Sequence, residues 1–562
     1  MKKAIFLFFF IFLLSFQVCA KSGSMKLLAV SGEEASQKGS TADLYLEIKE
    51  GTGRVFIDSF PLSKIDTQIS TRFAKEVACN FLEVDCSRYD FFYTIRASSA
   101  IIGGPSAGAA ITVLTVSVLD DLPMEDKSTV TGTINTGGII GPVGGVLPKI
   151  KAGAEAGMTK ILIPKYSQVN LTNLTEYERI YNIKVIEVSQ LSDAVFEMTG
   201  KDFRTDGEVN MSASYIDTMQ SISKELCDRA NLLLKETNQK NTTATEQLKK
   251  GEAALSIKQF YSAASFCFGS GLNSQYKKLQ QDNLNMTEIK KKINDIYDRI
   301  NEYKNLTDKK QMNTITDLEA YMVVNDRLVE AKDRANDALF NLAKNDTNSS
   351  LYHLAYSIER LNSARTWSVF FGKDGQEYKI NKKTLDESCL KKISEVEERI
   401  QYLELYLPAD TLELNQAVSK SYEDYNNGNP ELCLYKASIA KAKVDSVLNT
   451  IAISTADIEK VIEDRSQIVK SILAKQAKRG TFPILGYSYY EYANSLKEND
   501  KYSALLYLEY ALELGNLDIY FEKHSISYPK IDMVQLLLFS SGMVVGILVT
   551  LLFTLGKRQK RR

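Results

Sequence analysis

The sequence predicts an α/β (α+β) domain, then an all-α domain of helical hairpins or a bundle, then one C-terminal transmembrane helix. Three observations carry this. Sixteen of the 30 glycines lie between Gly23 and Gly157, the turn chemistry of a domain that alternates strands and helices. No proline occurs between Pro164 and Pro408, so the middle of the chain can sustain long helices. Met533 to Leu555 is 23 residues without a charge, enough to cross a bilayer. With 562 residues, 44% hydrophobic and 25% charged, the composition excludes wholesale disorder. The length allows about three or four domains.

Taken in order, residues 1–20 combine Lys2 and Lys3, an apolar run from Ala4 to Phe16 and a small residue at Ala20, which reads as a secretory signal peptide. Residues 21–203 form the α/β domain. Its strands are expected at Lys26–Val30, Ala42–Ile48, Arg54–Ile57, Asp90–Ile95, Val130–Ile134, Lys160–Ile163 and Ile183–Val188, where apolar residues alternate or run together. Its helices are expected at Thr67–Phe81, Ser106–Val118, Leu147–Ala156 and Leu191–Thr199.

Residues 204–530 are charged and amphipathic with helical period. A polar break followed by an aromatic and small residues recurs at 258–272, 349–361, 428–442 and 499–514. Such copies suit either tetratricopeptide-like hairpins or one bundle of amphipathic helices. Residues 531–556 are the expected span. The tail 557–562 carries Lys557, Arg558, Lys560, Arg561 and Arg562, which places it in the cytoplasm and the ectodomain outside the cell membrane.

Charge and cysteine agree with an exported chain. Lys+Arg 69 against Asp+Glu 70 gives no basic face for nucleic acid. Beyond Cys19 the cysteines are Cys79, Cys86, Cys227, Cys267, Cys389 and Cys433. Six allow fifteen pairings, of which neighbours in sequence, Cys79–Cys86, Cys227–Cys267 and Cys389–Cys433, are the simplest. N-x-S/T sequons stand at Asn170, Asn173, Asn210, Asn241, Asn285, Asn305, Asn345 and Asn348, a slight excess over chance. Asp120-Asp121 and Glu33-Glu34 read as solvated acidic pairs, Glu395, Glu397 and Glu398 as a charged helix face, and Trp367 beside Phe370 and Phe371 as packing. No metal or cofactor is expected.

The only histidines are His353 and His524, so chemistry in the first 352 residues cannot use a histidine base. It can use Ser106. In Gly103-Gly104-Pro105-Ser106-Ala107-Gly108-Ala109-Ala110 a tight turn enters a helix of small residues. Ser106 then stands where unpaired backbone N–H groups can stabilise an oxyanion. Downstream, Lys149 falls in the first turn of a helix, where the macrodipole disfavours a cation. A partly dry site there lowers an amine pKa, and a neutral amine can take the proton of a serine hydroxyl.

These stretches resemble the proteolytic domain of Lon proteases, which use a Ser–Lys dyad. The G-P-S-A-G motif is present as Gly104–Gly108, the T-G segment as Thr131-Gly132, and G-G-x-x-x-K as Gly144-Gly145 through Lys149, with 25 residues from Ser106 to Thr131 and 43 to Lys149. Ile65-Asp66-Thr67-Gln68-Ile69-Ser70 is similar to the archaeal membrane-linked branch. The resemblance covers about residues 25–200. It implies Ser106 as nucleophile, Lys149 as base and later acid, Thr131 as the residue orienting the lysine, and an oxyanion and substrate-backbone region at Gly104, Pro105, Ala107 and Gly108. It also implies a homo-oligomer, a hexamer in this family.

There are departures. Thr133 stands where many relatives have Glu, Pro148 directly precedes the lysine, and no G-x-x-x-x-G-K-[S/T] occurs in the chain, so no phosphate-cradling loop of that type serves a nucleotide. Two functions follow. One is an ATP-independent, membrane-anchored serine endopeptidase acting on unfolded or flexible polypeptide. The other is a non-catalytic membrane-anchored binding or assembly protein whose helical domain is the functional part.

Overall fold

The computed structural model describes residues 21–31, 37–97, 103–166, 171–204, 209, 211–239, 242–373, 375–404, 407, 411–452, 457–523 and 539–551. The expected signal peptide, the Glu33-Glu34 pair and His524 lie outside the described residues.

Strands β1 (Lys21–Ser31), β2 (Lys38–Glu50), β3 (Val55–Phe60) and β4 (Tyr89–Ala97) form a sheet in the order β1-β2-β4-β3. It is antiparallel except where β3 runs parallel to β4. Alternation gives it one buried face: Leu44, Leu46, Ile48, Phe91, Tyr93 and Ile95 are buried, with Tyr45 exposed on the other side. Two helices share that core, α1 (Ile65–Leu82) and α2 (Gly108–Leu119). Every residue of α2 is buried. Its hydroxyls are satisfied within the turn, Thr112 Oγ1 donating to Gly108 O at 2.7 Å and Thr115 Oγ1 to Ile111 O at 2.7 Å.

The remainder of this part is a parallel sheet β5-β8-β9 (Ser128–Val130, Lys160–Pro164, Lys184–Val188) and an antiparallel hairpin of β6 (Thr133–Asn135) and β7 (Ile139–Gly141). Helices α3 (Val146–Glu155), α4 (Leu171–Tyr181) and α5 (Leu191–Thr199) complete it. The strand expected over Val130–Ile134 is interrupted. Thr131 N still bonds Leu162 O, but Gly132 N turns away to Ser106 O at 3.0 Å, so the ladder stops and a new strand begins. Helix α4 and strand β7 are additions to the sequence reading.

The all-α part follows with α6 (Ala213–Glu236), α7 (Thr243–Ser256), α8 (Phe260–Gln281), α9 (Met286–Thr307), α10 (Ile315–Ala343), α11 (Thr347–Trp367), α12 (Lys382–Glu404), α13 (Leu412–Asn426), α14 (Pro430–Ala452), α15 (Ile458–Lys478), α16 (Ile484–Leu496) and α17 (Lys501–Leu514). Each recurring sequence pattern opens the second helix of a packed hairpin: α7–α8, α10–α11, α13–α14 and α16–α17. Small residues allow the close approach. A Cβ on Gly251 of α7 would stand 2.3 Å from Cys267 Sγ of α8.

Disulfides join Cys79–Cys86, Cys227–Cys267 and Cys389–Cys433, the neighbour pairings. The first fastens the end of α1 to the start of β4, the others α6 to α8 and α12 to α14. Trp367 is buried in ring contact with Tyr261 and Phe370, a packing role. Asn285 caps α9 with its own side chain.

Two expectations are corrected. Glu395 and Glu398 do not form a solvated face. Both are buried with Lys392 and Arg399 on α12, in a charged cluster completed by Lys441 and Asp445 of α14 and Glu513 of α17. A burial pattern on one helix cannot reveal partners supplied by two others.

The transmembrane helix is the second. Of the expected span, residues 539–551 are described, and they are helical. Among the described residues no helix is long and apolar enough to cross a membrane. The single-pass placement with an outward ectodomain rested on that span and falls with it.

The α/β part and the helices belong to one compact unit that ends at Glu522. At one end of their seam Lys475 Nζ donates to Phe81 O at 2.9 Å and Arg479 to Asn80 O at 2.9 Å, both beyond the last turn of α15 or within it and against the end of α1.

Candidate active site

Ser106 is held by the turn that precedes α2. Gly104 adopts φ +96°, a conformation open to glycine, and its N–H donates to Asp66 Oδ2 of α1 at 3.0 Å. Pro105 is buried and opens a single 3₁₀ turn, Pro105–Ala107, that passes into α2. Ser106 itself is half-buried. Gly108 is obligatory for space: a Cβ there would meet Ile134 Cγ2 at 2.9 Å, Ile134 N at 3.0 Å and Ser70 Oγ at 3.0 Å. The nucleophile turn therefore lies directly on the backbone of β6 and on α1.

Thr131-Gly132 is stitched to the same turn. Gly132 N donates to Ser106 O at 3.0 Å, and Ala109 N to Gly132 O at 3.0 Å. The hydroxyl of Thr131, 1% exposed, donates to Ser106 O at 3.4 Å. Ser106 and Thr131 are thus brought together through the serine carbonyl. Asp66, which anchors Gly104, went unassigned in the sequence reading. Its only signal was its place in the Ile65–Ser70 segment.

Lys149 lies in the first turn of α3. Gly145, at φ +63°, precedes the helix, and Lys149 N closes the turn onto Gly145 O at 3.1 Å. Pro148 costs no hydrogen bond here, because N–H groups of a first turn have no intrahelical acceptor. The side chain is 2% exposed, and burial alone lowers its amine from 10.5 to about 7. Among the described residues neither the Lys149 amine nor the Ser106 hydroxyl has a hydrogen-bond or ion-pair partner, and no hydrogen bond joins the two.

Such a set can do one kind of chemistry well. A hydroxyl stands at a helix entrance, and the chain supplies an amine lowered to about 7. Among the described residues no carboxylate holds that amine charged. Among the described residues no group of three or more His, Cys, Asp and Glu side chains could hold a metal ion.

Comparison with known proteins bears on this part of the chain. Residues 90–199 match the family of the Lon protease (S16) C-terminal proteolytic domain. An archaeal Lon protease of Halobacterium salinarum is 30% identical over 137 residues, 24% of this chain and 18% of the relative. One of Pyrococcus abyssi is 30% identical over 111 residues, 20% of this chain and 11% of the relative. Lon protease 2 of Bacillus subtilis is 33% identical over 97 residues, 17% of each chain. The chain spans less than a fifth of the length of these relatives. Ser106, Thr131 and Lys149 all fall within the matched residues, and over that stretch the chain is similar to the serine peptidase domain of Lon proteases.

Proposed function

We propose that this chain is an ATP-independent serine endopeptidase that hydrolyses peptide bonds in unfolded or flexible polypeptide. The observation that carries the reading is Lys149, a buried lysine with no counter-charge among the described residues, at the start of a helix in the same domain as a Gly-Pro-Ser turn. Ser106 Oγ attacks the scissile carbonyl while Lys149 Nζ accepts its proton. The N–H groups at Ser106 and Ala107 stabilise the oxyanion. Lys149, now charged, returns the proton to the leaving amine, and water attacks the acyl-enzyme by the same route in reverse. Thr131 and Gly132 hold the serine turn in register. Substrate must present extended chain, because the sequence has no phosphate-binding loop of the Walker type to drive unfolding. By the same likeness the enzyme works as a homo-oligomer.

The test is cleavage of a chemically unfolded protein by the full chain without ATP, compared with Ser106→Ala and Lys149→Ala. Either change removes a member of a dyad that acts as a unit and is expected to lower kcat/KM by a factor on the order of 10³ or more. Equal rates in all three proteins contradict the reading. A folded, assembled and wholly inert wild type favours a binding platform instead.

A further inference from the structure

The helices contribute to the active site as well as flanking it. The β6–β7 hairpin connects the two segments on which the proposed chemistry depends. Thr131-Gly132, bonded to the nucleophile turn, leads into β6, while β7 runs through Pro142 and Gly144-Gly145 into the helix that bears Lys149. Side chains of three helices in the all-α part reach this hairpin. Arg399 of α12, 3% exposed on its side chain, donates through one guanidinium nitrogen to Ile134 O at 2.7 Å and to Asn135 Oδ1. The hydroxyl of Tyr402, one turn further along α12, accepts from Gly144 N at 3.3 Å and donates to Pro142 O at 3.4 Å. At the hairpin tip Thr136 Oγ1 donates to Glu513 Oε2 at 3.1 Å, and Lys441 Nζ donates to Thr136 Oγ1 at 3.4 Å.

These grips are themselves fixed. The Arg399 guanidinium lies 3.6 Å from Glu398 and 3.5 Å from Asp445, so its aim is set by buried charges on α12 and α14. Ile134, whose carbonyl it holds, is the residue packed against Gly108 at the start of α2. One helix thus touches the strand against the nucleophile turn and, through Tyr402, the backbone directly ahead of Lys149.

We propose that α12 is a positioning element of the active site. Arg399 and Tyr402 hold the backbone spacing between the Thr131-Gly132 segment and the start of α3, and so set where Lys149 stands relative to Ser106. This rests on the Ser–Lys reading above. Any polypeptide that displaces α12 on binding the helical array would then alter the rate of the chemical step, a direct line from substrate recognition to catalysis.

The experiment uses the full chain and the unfolded-protein assay, with Tyr402→Phe and Arg399→Lys. Tyr402→Phe removes one hydroxyl, and Arg399→Lys keeps the charge that faces Glu398 and Asp445, so both should fold. The control is Arg479→Lys, at the far end of the same seam, where the guanidinium meets Asn80 and Glu83. A positioning role predicts that kcat falls about tenfold in each α12 variant with KM changed less than about twofold, because the lost contacts act on the reacting groups rather than on substrate binding. The control is expected to keep its kcat, at a melting temperature no higher than that of the α12 variants. Wild-type kcat in both α12 variants overturns the inference, as does an equal loss in the control. A wild type whose turnover does not depend on Ser106 refutes the peptidase reading itself, and the positioning role with it.

Discussion

Lysines buried in two regions of the protein are treated in opposite ways. In the helical part, Lys392 and Lys441 are sealed from water but face carboxylates: Lys392 donates to Glu513 at 2.7 Å and Glu395 at 3.1 Å, and Lys441 to Glu513 at 2.6 Å and Asp445 at 3.2 Å. Their amines are raised above the ordinary value by those charges, and Glu513 is held well below its own. In the α/β part, Lys149 is as deeply buried but has no such partner among the described residues, and its amine falls to about 7. Burial is the same in both regions, so the counter-charge decides the outcome. Paired, a buried lysine is a permanently charged joint between helices. Unpaired, its amine is lowered toward neutrality, as the proposed base requires.

Breaking the paired site should have the largest effect on stability. Lys441→Met leaves Glu513 and Asp445 short of a cation, and denaturant unfolding is expected to show a loss of about 3–5 kcal/mol. Reducing the disulfides sharpens the contrast between the parts. Cys227–Cys267 and Cys389–Cys433 close loops of 40 and 44 residues, so each cysteine pair replaced by alanine is expected to cost about 4 kcal/mol, whereas the 7-residue loop of Cys79–Cys86 should cost about 2 kcal/mol.

The unpaired lysine should behave in reverse. Its folded pKa is depressed, so between about pH 7 and 10.5 the unfolded chain binds a proton the folded chain has released, and stability rises with pH across that window. Lys149→Met removes the penalty. Thermal unfolding at pH 7 is expected to show a gain of about 2–4 kcal/mol that vanishes by about pH 10.5, together with complete loss of peptidase activity. A destabilised Lys149→Met would show that the amine has a partner in solution. The smallest effect is at the serine turn. Asp66→Ala frees the Gly104 N–H, and a cost of about 1 kcal/mol is expected, with a fall in kcat as the turn loosens.

Much of this was legible from residue types alone. The Gly104–Gly108 turn, the first-turn placement of Lys149 and the tolerance of Pro148 all follow from local backbone chemistry, which a short stretch of sequence contains. The second helices of the four hairpins were visible for the same reason. What escaped depends on distant partners. Lys392 and Glu395 look like any solvated helical pair until α14 and α17 close over them, and their partner Glu513 lies more than 100 positions away. Arg399 and Tyr402 carried no signal, because the backbone they hold belongs to another part of the chain. The hairpin strands β6 and β7, three residues each, are too short for alternation to register. The apolar run near the C-terminus meets the length criterion for a span, yet among the described residues no helix is long and apolar enough to cross a membrane.

Whether Lys149 works as a neutral base is decided by the pH dependence of Ser106-dependent cleavage. The rate should rise through a single limb centred near pH 7, and Lys149→Ala should abolish it. A limb centred near pH 10, or an unchanged profile in Lys149→Ala, would contradict it.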